Sequence, residues 1–265
     1  MASVELWWLG QSGFRVQEPG GRTIFFDPFL TPSEDRAWQA PLDPSALATA
    51  VAVLCSHGHV DHFDQPSLRA AAHTPGSSFR LVVPRPLVEA AVALGLPSER
   101  VIGAQPDEPI ALDGFTIHPV ASRHGVDAAD AYTFGRELSG GLVRYLGYVV
   151  EIGDARVYHA GDGIPYDGQI ETLRAHRPDL ALLPINGRDF YRESEHNIVG
   201  NLDPREAARL ASSIGARLLV PMHWEMFETN RGFPGDLVSY VCGYFPHLSV
   251  VVLGRGARFV YTPAT

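Results

Sequence analysis

The chain has 265 residues, 45% of them hydrophobic and 19% charged, so it can bury a sizeable core and is neither a disordered nor a coiled-coil composition. Its formal net charge of −9 argues against nucleic acid as the main partner, because neutralising phosphates takes a basic surface. Two cysteines, Cys55 and Cys242, form no CxxC motif or disulfide framework, no apolar run has the length of a membrane span, and residues 1–5 lack the basic start of a secretory signal; a cytoplasmic protein that makes no use of a membrane is expected.

Apolar runs at 4–9, 14–16 and 23–26 predict strands, the second and third joined by the turn at 19–21. A helical turn over 44–48 has Asp43 as its cap. Residues 50–55 read as a buried strand, 65–72 as a helix, 80–83 as a strand and 85–94 as a helix ending at Gly95. Strands follow at 110–112 and 115–120, and the Gly-, Asp- and Ala-rich stretch 125–144 reads as a flexible loop. The hairpin pair 146–152 and 156–160 precedes a helix at 169–175 and a strand at 180–183. Residues 186–203 read as a long polar loop, with Asp203 capping a helix over 204–213. A strand at 218–220, a helix at 237–244 and strands at 249–253 and 258–261 complete the chain.

Each half thus reads as hairpin strands followed by strand–helix units, with no linker or break in composition between them. Two packed sheets with helices outside bury so many apolar strands most simply. The expectation is an α/β (α+β) chain forming one domain over 1–265, a four-layer αββα sandwich. Its exposed edge strands admit a homo-oligomer.

The stretch HGHVDH (57–62) sets three histidines and an aspartate within six positions, directly after an apolar strand. A loop at a strand end can turn several imidazoles to one point, and imidazole and carboxylate are what Zn²⁺, Mn²⁺ and Fe²⁺ accept. His124, Asp162 and His223 also follow apolar runs and are flanked by Gly or Pro. A mononuclear catalytic site uses three or four protein ligands, so His57, His59, Asp61, His62, His124, Asp162 and His223 suit two ions. Asp162 is the best bridge, since a carboxylate has two oxygens to offer.

In this order HGHVDH, SRHG (122–125), AGD (160–162) and PMHW (221–224) resemble the metallo-β-lactamase superfamily over essentially the whole chain. The resemblance implies that His57, His59 and His124 hold one ion, that Asp61, His62 and His223 hold the other, and that Asp162 is shared. WLGQSGF (8–14), FDPF (26–29), PINGR (184–188), NLD (201–203) and PMHWEMF (221–227) further resemble its L-ascorbate-6-phosphate lactonase-like branch. The ascorbate enzyme itself is longer, so its substrate is not carried over.

The chemistry this permits is hydrolysis by a metal-bridging hydroxide of a small ester, a lactone (sugar-phosphate lactones included) or a phosphodiester, with Zn²⁺ or Mn²⁺ as the two divalent ions. Asp61 and Asp162 are the catalytic carboxylates, Asp61 also orienting the attacking water or taking its proton. No Gly-x-Ser-x-Gly elbow is present, so no covalent intermediate is expected. Asp27 and Asp64 are candidates to orient the imidazoles, each equally readable as a turn residue or a helix cap. For a small, anionic substrate the candidate contacts are Asn186, Arg188, Arg192 and His196, against the plainer reading of a solvated loop. His159 reads as a strand histidine with a satisfied partner. Two other functions stay open at this point: a mononuclear iron oxidoreductase of the persulfide-dioxygenase type, and an inert metal-binding scaffold.

Overall fold

The structure is a computed structural model that describes residues 3–34, 36–125 and 141–263; most of the loop expected over 125–144 lies outside these residues. The first half supplies β1 (Val4–Gly10), β2 (Gly13–Gln17), β3 (Thr23–Phe26), β4 (Ala52–Leu54), β5 (Arg80–Pro84) and β6 (Val101–Ala104). The second supplies β7 (Ile110–Leu112), β8 (Phe115–Ala121), β9 (Leu146–Ile152), β10 (Ala155–His159), β11 (Leu180–Pro184), β12 (Leu218–Met222) and β13 (Ser249–Val250). The last strand, β14 (Arg258–Tyr261), crosses back to the first sheet and pairs antiparallel with β1.

The sheets run β14-β1-β2-β3-β4-β5-β6 and β13-β12-β11-β10-β9-β8-β7. In each, hairpin strands are antiparallel and the strands that follow are parallel: β3 to β6 in one, β10 to β13 in the other. Alternation of side chains along the strands gives the first sheet two apolar faces. Leu6, Phe14, Ile24 and Leu54 join Ile117, Tyr148, Val157 and Leu182 in one core between the sheets. Phe25, Val53, Leu81 and Val83 on the opposite face pack under α1 (Gln65–His73) and α2 (Val88–Val92). The second sheet is covered by α5 (Pro204–Ser213) and α6 (Pro234–Tyr244), through Ala207, Leu210, Leu237 and Val241. Together with α3 (Gln169–His176), these layers are the expected αββα sandwich.

Asp43, Asp64 and Asp203 cap the helices as expected, Asp203 through a full capping box with Glu206. Three local expectations need correction, and one strand was not expected at all. The helix expected over 85–94 is a 3-10 turn, Arg85–Leu87, followed by α2 alone. The strand β6 lies at a sheet edge, half-exposed, where no alternation announces it. Inside the loop expected at 186–203 sits α4 (Phe190–His196), capped by Asp189. The strand expected at 249–253 pairs only over Ser249–Val250.

Candidate metal centre

Every expected ligand sits at the C-terminal end of a strand, on one rim of the sandwich. The loop after β4 carries His57, His59, Asp61 and His62; His124 follows β8, Asp162 follows β10 and His223 follows β12. His223 takes a positive φ of 56°, and its N–H donates to Gln11 O at 2.9 Å, which ties the end of β12 to the β1–β2 bulge. Asp162 lies between two glycines. Gly161 has φ +61°, and a Cβ there would come 2.6 Å from Leu146 O and 2.7 Å from Ser56 Cβ, so only glycine lets this turn approach the histidine loop.

The donor atoms of His57, His59, His124 and Asp162 lie within 4.8 Å of one another, and so do those of Asp61, His62 and His223. In the first group His57 Nε2 and His124 Nε2 are 2.9 and 3.4 Å from His59 Nδ1. In the second, Asp61 Oδ2 is 3.5 Å from His62 Nε2 and 3.3 Å from His223 Nε2. Asp162 faces both groups: Oδ1 is 3.3 Å from His62 Nε2, and Oδ2 is 3.6 Å from His124 Nε2 and 3.3 Å from His223 Nε2. Donors on a tetrahedral ion with bonds of 2.0–2.1 Å stand about 3.3 Å apart, the spacing these atoms keep. His62 Nε2 and Asp162 Oδ1 are buried, face each other at 3.3 Å and make no well-aligned hydrogen bond. Such atoms are costly unless something else satisfies them, and a cation does. The residues present therefore fit metal ions.

Electrostatics separates the two groups. Burial pushes the imidazoles of His57 and His59 down, and that of His124 to about 4, so these three are neutral and ready to bind. Burial also acts on His62 and His223, but Asp162 and Asp61 outweigh it; His62 is held well above its usual value and His223 at about 9. Against the penalty of burial, the same imidazoles hold Asp61 and Asp162 well below the carboxylate range.

Asp27 does what was expected of one of its two readings. Buried to 1% exposure, its Oδ2 accepts from His62 Nδ1 at 2.7 Å and from Ser56 Oγ at 2.6 Å, and its Oδ1 accepts from Ser56 N at 2.7 Å. Ser56 Oγ is 2.9 Å from His57 Nδ1. With the hydroxyl proton given to Asp27, the oxygen accepts from His57 Nδ1–H. One carboxylate thus sets the tautomer of a ligand in each group, freeing both Nε2 lone pairs for metal. Asp64 does not share this role. It caps α1 and accepts from Leu30 N, Thr31 N and Thr31 Oγ1, fixing the loop after β3 rather than an imidazole. His159 is satisfied, as expected, by Ser12 O and Gly161 N, and its ring stacks on Phe26.

The loop candidates fare differently. Asn186, 2% exposed, donates to Asn230 Oδ1 at 2.8 Å and accepts from Asn201 Nδ2 at 2.9 Å; Asn201 Oδ1 accepts from Gly163 N at 2.7 Å. It belongs to a buried chain that pins the Asp162 turn. Arg188 pairs with Glu206, and Arg192 pairs with Asp189 and donates to Arg231 O, so both guanidinium groups already have protein acceptors. His196 is exposed at the end of α4, edge-on to Tyr191. Sequence reasoning assigned no role to Gln11, Ser56, Ser122, Asn201 or Tyr145. Gln11 touches Asp61 and His223, Ser122 Oγ donates to Asp162 O at 2.6 Å, and the Tyr145 ring packs against His57, His59 and His124. Cys55 is a buried thiol, as expected, but lies one residue past β4 rather than in it, and burial raises its pKa.

Residues 22–224 match the Beta-lactamase superfamily domain. A UPF0173 metal-dependent hydrolase of Myxococcus xanthus is 31% identical over 259 residues, 96% of this chain and 82% of that protein. Another, of Rubrobacter xylanophilus, is 29% identical over 261 residues, 97% of this chain and 96% of that one. A solved metallo hydrolase of the hyperthermophilic archaeon Ignicoccus hospitalis shares the fold with a TM-score of 0.72 at 21% identity, covering 99% of this chain and 100% of that one. Fold, ligand set and relatives together define a metal-dependent hydrolase of the metallo-β-lactamase fold. Within that class the chain belongs to the UPF0173 metal-dependent hydrolase family.

Proposed function

We propose that the chain hydrolyses a small ester, a lactone (sugar-phosphate lactones included) or a phosphodiester with two divalent ions, Zn²⁺ or Mn²⁺. One observation carries this reading: seven donor side chains fall into two groups, with the two oxygens of Asp162 facing both. Five imidazoles, two carboxylates and no thiolate suit these metals. Bound there, the ions would lower the pKa of a coordinated water toward neutrality and polarise the substrate oxygen.

The chain's own groups do the rest. His57, His59 and His124 would hold one ion, Asp61, His62 and His223 the other, and Asp162 would contact both. Asp61, ionised by its imidazole neighbours, orients the attacking water or receives its proton. Tyr145 walls the first group and limits the water that reaches it. The case for an anionic substrate is weakened by the partners of Arg188 and Arg192; exposed His196 is the loop candidate left to meet one. The free thiols of Cys55 and Cys242 agree with a reducing cytoplasm. Relatives named as hydrolases favour this reading over the iron oxidoreductase and the scaffold.

The test strips the protein with a chelator, reloads it with Zn²⁺ or Mn²⁺, and screens aryl esters, lactones and bis-aryl phosphates. Metal-restored turnover that Asp162→Ala and His59→Ala abolish is the expected result. Full turnover by either variant, or by metal-free protein, contradicts it.

A further inference from the structure

We propose that Gln11 is the positioning residue of the second metal group: its amide holds Asp61 in the orientation that lets Asp61, His62 and His223 take an ion. This rests on the two-ion reading above.

Gln11 Nε2 lies 2.7 Å from Asp61 Oδ2 and 2.9 Å from His223 Nε2, and the residue is 1% exposed. The chain goes to some length to put it there. Gln11 has φ 50°, in the left-handed region that costs a residue with a Cβ. The β1–β2 register shifts between Trp8 and Gly10 just before it. Its carbonyl accepts from Trp8 Nε1 at 3.0 Å and from His223 N at 2.9 Å, and its N–H donates to Glu225 Oε1 at 3.2 Å. Glu225 is itself buried and faces Arg255. Three separate hydrogen-bonding groups thus fix one backbone unit whose side chain points at two candidate ligands.

The orientation of the amide follows from its neighbours. Turned the other way, Oε1 would face Asp61 Oδ2, two acceptors in contact. As it stands, Nε2–H donates to Oδ2 and fixes the rotation of the Asp61 carboxylate. His223 Nε2 cannot accept from the amide when it carries a proton or holds an ion, so the bond to Asp61 is the one that orients the amide. The side-chain hydrogen bonds of Gln11 go to Asp61 and His223, both in the second group, so its direct effect should fall on that group.

The experiment compares wild-type chain with Gln11→Met, which keeps the volume and removes the donor, by titrating Zn²⁺ against a chromophoric chelator. Gln11→Asn, which tolerates the left-handed backbone but withdraws the amide by one methylene, serves if the Met variant does not fold. The wild type should take two equivalents. In the variant the first should bind within about twofold of wild type and the second about 10–100-fold more weakly, as for other groups that orient ligands. In an Asp61→Ala background the same change should have no further effect on affinity. Both equivalents unchanged, or both weakened alike, overturns the proposal, the latter outcome marking a merely structural residue. A wild type that saturates at one equivalent instead overturns the two-ion reading beneath it.

Discussion

Replacing Asp27 by Asn tests whether one buried carboxylate governs both halves of the centre. Asn preserves the volume and accepts the φ of 39° found here, so backbone strain is not introduced. Its amide oxygen can keep the bond from Ser56 N, now held by Oδ1 at 2.7 Å. Its NH₂ cannot accept, so the bonds at Oδ2, 2.7 Å from His62 Nδ1 and 2.6 Å from Ser56 Oγ, are both lost. Hydrogen bonds to a charged group are worth about 1.5–3 kcal/mol each. For the two bonds together this is about 3–6 kcal/mol, and at about 2–4 °C per kcal/mol for a chain of this size the metal-free protein should melt roughly 6–24 °C lower. Metal binding suffers twice. His62 is driven toward the tautomer that turns Nε2–H at the ion, and His57 loses the relay through Ser56 Oγ, 2.9 Å from its Nδ1. Each ion should therefore bind about 10–100-fold more weakly. The assay is a chelator-competition titration beside a thermal melt. Unchanged affinity for both ions would refute the orienting role of Asp27, and weakening of the second ion alone would refute the relay through Ser56.

Two more outcomes are expected. Gly161→Ala forces a Cβ to 2.6 Å from Leu146 O at a positive φ, so it should lower stability by about 1–3 kcal/mol and weaken both ions by moving Asp162; a melt and affinities equal to wild type would contradict this. The pH dependence should differ between the groups. His223, raised to about 9 by Asp162 and Asp61 despite its burial, lends the metal-free protein stability that is complete below about 6.5 and lost as pH rises through 9. Over that window the second ion should bind progressively more tightly, as its competing proton leaves. His124, held by burial at about 4, is already neutral, so the first ion should be nearly indifferent to pH there. Parallel pH profiles for the two ions would count against this assignment.

The candidate ligands were legible in the sequence because HGHVDH, His124, Asp162 and His223 each follow an apolar run beside Gly or Pro, a pattern written in nearby residues. Of the residues that aim them, Asp27 was read as a candidate, whereas Gln11 and Ser56 were not. Gln11 meets Asp61 and His223 across 50 and 212 positions, and Ser56 meets Asp27 across 29, distances at which no local pattern survives. Asn186 was recognised for its place in the polar loop, but its buried bond to Asn201 makes it a support for the Asp162 turn. Among the elements, β6 escaped because an edge strand with Gly103 at its centre has no buried face to alternate. Helix α4 escaped because it has no buried side chain: Phe190 is 80% exposed, and the Asp189 cap was the one signal available. Asp64 shows the reverse case, where a cap signal was sound and the added ligand-orienting role was not.

The central claim is that the seven donors hold two ions, and elemental mass spectrometry of untagged protein purified without added metal tests it most directly. About two equivalents of Zn or Mn per chain is the predicted result. A single equivalent of iron, or a stable protein that takes up no metal at all, would contradict it.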